Sequence, residues 1–245
     1  MYQIDEAKVI ERAINPELIA RKQAYQAIQI LKPFSRGIYN TGNMMEQRFQ
    51  RAYLNKKPVQ IIGFWGVGEK KYSDRADRLL LDDYEIIKNL MKSITQNEVE
   101  VNLILADSHG LFNGYSDFEG YHSSVDFEAK RRSLNTFLLS SLYQEWGIVL
   151  PEVNRPINPY LMNKFKNLRQ SSQLIESAAK HSRNSQNPEE AAFLYWLMRN
   201  QEAEHLSRSF TEAVLFVNGS KDLAMATLPR DMPHIYSRFG PVWFQ

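Results

Sequence analysis

Two apolar runs separated by a long amphipathic stretch constrain the fold more than any other feature of the sequence. Residues 59–65 and 99–106 are β-rich runs of strand length. Between them, Ser73 or Asp74 can cap a long helix whose apolar positions recur at helical spacing. A strand, a helix and a second strand of these lengths predict a right-handed parallel crossover. We therefore predict an α/β fold with a Rossmann-like, mixed and largely parallel sheet flanked by helices.

The sequence on either side of this unit predicts one structural unit with two parts. Residues 1–57 look helical and are expected to pack on the core as an N-terminal helical segment, and residues 58–245 form the Rossmann-like α/β domain. A short strand is expected over 147–151. Helical spacing predicts three further helices, at about 121–146, 160–181 and 188–210.

The C-terminal part of the chain carries a strong hairpin signal. Two apolar runs, 213–217 and 223–228, flank Asn218-Gly219. Asparagine and glycine tolerate the positive φ angles that a type I′ turn requires. We therefore predict a C-terminal β-hairpin that adds an antiparallel edge to the sheet.

Composition excludes several classes of function. Cysteine is absent, which rules out disulfides, thiolate metal sites and cysteine nucleophiles. The formal charge is +2, from 30 Lys and Arg against 28 Asp and Glu, so DNA is not an expected partner. The first six residues do not resemble an export signal, and no apolar run reaches the roughly 18 to 20 residues that span a bilayer. We expect a cytoplasmic protein that does not contact membranes.

The loops that follow the two parallel strands are the first place to look for a site, because ligands of open α/β sheets bind beyond the carboxyl ends of strands. The loop after the first strand offers Trp65, Lys70 and Lys71 among three glycines. Glycine allows close backbone approach, and lysine attracts anionic groups. The glycine spacing is not a dinucleotide-binding fingerprint, so a plain flexible turn is the alternative interpretation.

The loop after the second strand concentrates groups that can move protons. Asp107 can orient or ionise His109, histidine is suited to proton transfer near neutral pH, and Ser108 and Asn113 can bind substrate. A serine hydrolase is not expected, because no nucleophile elbow surrounds Ser108. The alternative is that these polar residues only satisfy the backbone of their own loop.

Metal binding is considered and not predicted. Asp107, His109 and His122 could supply ligands, but no close histidine pair fixes two of them on one element. Glu202 and its neighbours Glu204 and His205 suggest a carboxylate site, yet no second matching helix is present. We therefore expect these three residues to lie on a solvated helix face.

Two further pairs are candidate binding residues. Asp74 and Asp77, three apart at the start of the long helix, could bind an amine, or could cap the helix and pair with nearby arginines. Arg230 and Arg238 could clamp a phosphate or carboxylate. The alternative for this tail is an edge strand whose aromatic residues close the core.

The order of these residues over about 58–128 resembles the isocyanide synthases of the pyoverdine and dityrosine biosynthesis family. In that family a lysine-containing segment, an acid-bearing helix start and a strand ending in Asp-Gly follow one another. Here Lys70-Lys71, Asp74 with Asp77, and 107–110 stand in the same order, although Asp-Ser-His-Gly replaces Asp-Gly.

This resemblance implies an enzyme of secondary metabolism. It would condense the amino group of an amino acid with a sugar phosphate carbonyl to form an isonitrile, without a bound organic cofactor. Lys70 or Lys71 would meet the sugar phosphate, and Asp107 with His109 would manage protons.

Two alternatives remain open. The chain is also similar to cyclodipeptide synthases, which share a Rossmann-like core and use aminoacyl-tRNA, but their glycine-rich serine motif is absent from 63–69. Because α/β folds host many functions, a non-catalytic protein that binds a small ligand is the other alternative. The sequence thus favours a small-molecule biosynthetic enzyme acting on an amino acid.

Overall fold

Six strands form one mixed sheet in this computed structural model, which describes residues 15–39, 43–66, 71–116, 118–152, 156–183, 187–218 and 227–238. The spatial order is β1-β6-β5-β2-β3-β4, and every neighbouring pair is parallel except β1 and β6. The predicted fold class is therefore confirmed. The strands are β1 (Ser35–Tyr39), β2 (Val59–Trp65), β3 (Val99–Leu105), β4 (Asn135–Leu138), β5 (Ala213–Val217) and β6 (His234–Ser237).

Helices cover both faces of the sheet. One face packs against α1 (Pro16–Leu31), α2 (Met44–Leu54), α3 (Arg75–Thr95) and α5 (Glu119–Arg131). The other packs against α4 (Asp107–Phe112), α6 (Leu139–Trp146), α7 (Pro159–Lys166), α8 (Ser171–His181) and α9 (Pro188–Ser209). Alternate residues of β2 point to the two cores, with Ile61 on the first side and Ile62 on the second, as strand geometry requires. None of the described helices is long and apolar enough to cross a membrane.

The predicted crossover is confirmed and has a well-defined start. Strands β2 and β3 pair in parallel along their whole length, and α3 connects them. Asp74 caps α3 by accepting from the Asp77 amide, and the Asp77 side chain accepts from the Asp74 amide in return. This reciprocal capping satisfies two backbone donors that the first turn would otherwise leave unpaired. The loops after β2 and β3 consequently leave from the same edge of the sheet.

The helix predicted over about 121–146 is wrong in its middle. The structure has α5, then the short strand β4, then α6. Ser133 adopts a left-handed conformation after α5, and Leu138 is extended before α6. β4 has only four residues and is mostly exposed. Its sequence therefore lacks the apolar, β-rich run that would have predicted a strand. The strand predicted over 147–151 is also wrong, because these residues form an irregular segment after Gly147 ends α6.

Both ends of the domain need correction. The N-terminal segment is not purely helical, since β1 pairs antiparallel with β6 and forms one edge of the sheet. The predicted strand at 213–217 is β5, but it pairs in parallel with both β2 and β6. The predicted hairpin partner is 223–228, of which 223–226 lie outside the described residues. The antiparallel edge is thus made by β1, and the predicted boundary at 57/58 stays a prediction.

Candidate active site

The sheet changes its direction of growth between β2 and β5. From β2 the chain adds β3 and β4 on one side, and then returns to place β5 and β6 on the other. At such a switch point the connections diverge and leave a crevice beyond the carboxyl ends of the strands. Two helices on one face of the sheet carry the polar side chains described next: α4, directly after β3, and α9, directly before β5.

Four polar side chains meet here and are called the His109–Glu202 cluster: His109, Tyr143, Arg199 and Glu202. The Nε2 atom of His109 lies 2.5 Å from Oε1 of Glu202. The Tyr143 hydroxyl donates to the same oxygen, and Nη1 of Arg199 donates to Oε2. The side chain of Glu202 is fully buried, whereas that of His109 keeps 12% of its surface exposed. Of the four side chains in the cluster, that of His109 is the most exposed.

Aromatic rings hold the cluster in place. The Phe64 ring at the end of β2 stacks on His109 at a centroid distance of 6.3 Å, and the Arg199 guanidinium lies 4.7 Å above the same ring. Tyr195 meets His109 edge-on at 5.5 Å. Stacking and cation–π contacts restrict these rings and the guanidinium to one arrangement. The network is therefore built before any ligand arrives.

The charges of the cluster compensate one another. Burial alone would raise the pKa of Glu202, but the charge of Arg199, together with His109 and Tyr143, outweighs it and lowers that pKa below its usual value. Burial and the negative charge of Glu202 raise the pKa of Tyr143, which keeps the phenol protonated. Glu202 is therefore an ionised acceptor surrounded by donors.

This arrangement fixes the orientation of the histidine. Nε2 of His109 also lies 3.2 Å from Nη1 of Arg199, and the ring can donate to ionised Glu202 in the tautomer that carries its proton on Nε2. In that tautomer Nδ1 carries the lone pair, and it makes no hydrogen bond with any residue that the structure describes. A carboxylate that orients a histidine in this way creates a group able to take and return a proton.

The other residues predicted for the second loop lie on α4. Asp107 is buried, and its Oδ1 accepts from the backbone amides of Ser108 and Ser140. Ser108 is buried beside it, and Asn113 ends the helix as its C-cap. No hydrogen bond or ion pair joins the described side chains of Asp107 and His109. The predicted proton-managing pair therefore stays a prediction. The partner that the structure gives His109 is Glu202.

The predicted residues of the first loop lie mostly away from this cluster. Trp65 is fully buried and donates to the Tyr121 hydroxyl, which donates to Asp77. Asp74 and Asp77 form the helix cap described above, which is the capping role that their alternative interpretation expected. Lys71 is exposed, and Lys70 lies outside the described residues. Their roles in substrate binding stay predictions.

The two arginines of the C-terminal tail are placed differently from each other. Arg238 donates to both oxygens of Asp83, at 2.9 and 2.5 Å, and its guanidinium lies 5.1 Å from the Phe34 ring centroid. Arg230 is exposed. The intervening strand β6 lies between β1 and β5, so it is not an edge strand. The predicted anion clamp stays a prediction.

Glu202 corrects one expectation from the sequence. It was expected on a solvated face with Glu204 and His205, and this holds for Glu204, which pairs with Arg208 at the surface. His205 stacks on Trp146, and Glu202 is fully buried. Residues 199 and 202 lie one turn apart on the face of α9 that also carries Leu206, so the signal for this pair was present in the helical spacing.

No group of three or more histidine, aspartate or glutamate side chains among the described residues is arranged to hold a metal ion. His122, considered above as a ligand, lies on α5. The side chains of the His109–Glu202 cluster can themselves supply proton transfer and charge stabilisation.

Comparison with known proteins shows the fold. No protein-family model and no curated protein sequence matches this chain. Among solved structures, it is similar to the PvcA protein from Pseudomonas aeruginosa, with a TM-score of 0.59, 11% identity, and coverage of 91% of this chain and 85% of that one. It is also similar to tyrosyl-tRNA synthetase from Archaeoglobus fulgidus in complex with L-tyrosine, with a TM-score of 0.50, 12% identity, and coverage of 87% and 63%. These are resemblances of fold and do not show membership of a family.

Proposed function

We propose that this chain is an enzyme that acts on an amino acid, with His109 moving a proton at the carboxyl edge of the sheet. The observation that carries the proposal is the contact between His109 and the buried, ionised Glu202. This contact orients the imidazole and directs its other nitrogen away from the carboxylate. A general base needs this combination of orientation and access.

The cluster also contains a donor suited to a carboxylate. Nε of Arg199 is buried and has no hydrogen-bond partner, although Nη1 is held by Glu202. An unpaired buried donor is unfavourable, and the carboxylate of an amino acid would satisfy it. The fold similarity to a synthetase solved with L-tyrosine supports this choice of substrate class.

The finer proposal is isonitrile formation from an amino acid and a pentose phosphate. His109 would take a proton from the ammonium group, so that the nitrogen can attack the sugar carbonyl and form an imine with loss of water. The similarity in fold to PvcA agrees with the family resemblance found in the sequence, at the level of fold. Lys70 or Lys71 stays the proposed contact for the phosphate.

A second candidate function is transfer from aminoacyl-tRNA to give a cyclic dipeptide. The fold similarity to a tyrosyl-tRNA synthetase supports it, because that protein is named for the tRNA it acts on and is bound to an amino acid in its structure. The same His109–Glu202 cluster would then take the proton from the attacking amino group. The two candidates differ in their second substrate.

Product analysis tests both candidates on the purified protein. Amino acids are supplied with and without a pentose phosphate, and aminoacyl-tRNAs are supplied separately, with products identified by mass spectrometry. An isonitrile supports the first candidate and a cyclic dipeptide the second. Binding of amino acids without turnover in either reaction would contradict an enzymatic role.

A matched pair of variants tests the role of His109. His109→Gln keeps an amide near the position of Nε2 but cannot take up and release a proton. Turnover should therefore fall by about 100-fold or more, while the free energy of unfolding stays unchanged. His205→Gln makes the same change on the α9 surface, beside Trp146, and should keep wild-type turnover. Equal turnover in the two variants would remove His109 from the mechanism.

A further inference from the structure

A cleft of about 870 Å³ lies on the other side of α4, between the ends of β3 and β4 and helix α5. Its lining combines apolar side chains, such as those of Leu134, Phe137 and Leu138, with the polar side chains of Asp107 and His122. Neither His109 nor another member of the His109–Glu202 cluster contributes to its lining. This volume accommodates a small organic molecule.

Asp107 contributes a carboxylate with one oxygen still available. The residue is only 7% exposed, and its Oδ1 accepts from the amides of Ser108 and Ser140, each at 2.9 Å. Within the described ranges, Oδ2 has no hydrogen bond, and no cationic side chain forms an ion pair with Asp107. The two amides fix the direction of the carboxylate, so its second oxygen is preorganised for a donor from outside the chain.

His122 is the second polar group of the cleft without a partner. It is 5% exposed, and its Nε2 is buried with no hydrogen-bond partner. Burial lowers its pKa, against an opposing effect of Asp107, so the ring is neutral at neutral pH and does not neutralise the carboxylate. Leaving a buried nitrogen unpaired is unfavourable, and a ligand in the cleft would satisfy it.

The remaining charges make the cleft negative. Asp126 also lines it, but Lys130 pairs with Asp126 at 2.6 Å, so these two charges cancel. Glu119 adds a further negative charge, and the cleft therefore attracts cations. A metal ion is a poor match, since no suitable group of three ligands occurs in the part of the chain that the structure describes. An organic cation with an apolar body matches both the negative charge and the apolar side chains of the lining.

We propose that this cleft binds a primary ammonium compound with an apolar or aromatic body. The ammonium donates to Oδ2 of Asp107 and lies near His122, and the apolar body packs against Leu134, Phe137 and Leu138. The site is separate from the His109–Glu202 cluster and does not rest on the function proposed for it. Asp107 thus acts here as an anchor for a ligand, in addition to capping α6.

The test compares an amine with a neutral molecule of the same shape. The probes are 2-phenylethylamine and 2-phenylethanol, titrated into the full chain and followed by NMR. Loss of a charged hydrogen bond corresponds to about 10- to 100-fold in affinity, so the amine should bind more tightly than the alcohol by that factor. Equal affinity for the two probes, or no binding of the amine, would overturn the proposal.

Two variants locate the binding. Asp107→Asn keeps an oxygen for the Ser108 and Ser140 amides but removes the charge, so it should fold and lose the preference for the amine. Glu145→Gln makes the same charge change at an exposed position outside the cleft, and should bind as the wild type does. If Asp107→Asn does not fold, His122→Phe replaces it and should weaken amine binding several-fold. His109→Gln should leave amine binding unchanged, and a loss there would place the amine in the other site.

Discussion

His109 and Asp107 are two residues apart on α4, yet their surroundings differ in how far the charges are balanced. Beside His109, Glu202 accepts from a histidine, a tyrosine and an arginine. Beside Asp107, one carboxylate oxygen and a histidine nitrogen have no partner among the described residues. The comparison teaches that burial alone does not define a site. Paired charges hold His109 in place, whereas the unpaired carboxylate oxygen of Asp107 leaves a negative charge for a cationic ligand.

The largest expected effect comes from breaking the balance around Glu202. Glu202→Ala leaves the buried Arg199 charge without its partner, which should lower the free energy of unfolding by about 3–5 kcal/mol. Urea denaturation measures this directly. The double variant Arg199→Leu with Glu202→Leu removes both charges and should be destabilised less. A double variant as unstable as Glu202→Ala would show that packing, and not charge, explains the loss.

Acid should weaken the same network. The folded pKa of Glu202 lies below the value of about 4.3 for an unfolded glutamate, so the unfolded chain binds the proton more readily. The contribution of Glu202 to stability is therefore fully present above about pH 4.3, and it is lost as the pH falls through the lower folded pKa. The free energy of unfolding of Glu202→Gln should fall less steeply below pH 4.3 than that of the wild type. Parallel curves would contradict the balanced-network description.

The smallest effect is expected in the cleft. His122→Phe removes a buried nitrogen that has no partner and keeps an aromatic ring against Phe118, 5.1 Å away in the wild type. Because no protein hydrogen bond is lost, the free energy of unfolding should change by less than about 1 kcal/mol, or rise. Thermal and urea unfolding measure it. A loss as large as that of Glu202→Ala would mean that the two sides of α4 do not differ in balance.

The parts of the fold that the sequence predicts well are those with strong local patterns. The runs that became β2 and β3 are nearly continuous apolar stretches, and α3 and α9 begin at clear capping residues. β1 and β4 lack such patterns because they are short and largely exposed or half-buried. Their strand conformation depends on pairing with distant strands, and local sequence does not encode it.

Of the two central residues of the candidate site, the sequence predicts the position of His109 but not that of Glu202. His109 follows a predicted strand, so its position at the carboxyl edge could be inferred from the chain alone. Glu202 stands 93 residues away from it on a helix where acids usually face solvent. Only the packing of α9 on the sheet brings the two together, and that packing is a property of the whole fold.

The antiparallel pair of β1 and β6 has a consequence for the order in which the protein is made. Ser35 pairs with Ser237, so almost the whole sheet is synthesised between one partner and the other. At about 5 to 20 residues per second, β1 waits roughly 10 to 40 s for its neighbour. During that interval the parallel strands β2, β3 and β4 can already assemble, while β6, whose place lies between β1 and β5, has not yet been translated. Of the six described strands, the one that is synthesised first is thus among the last to be fixed in the sheet.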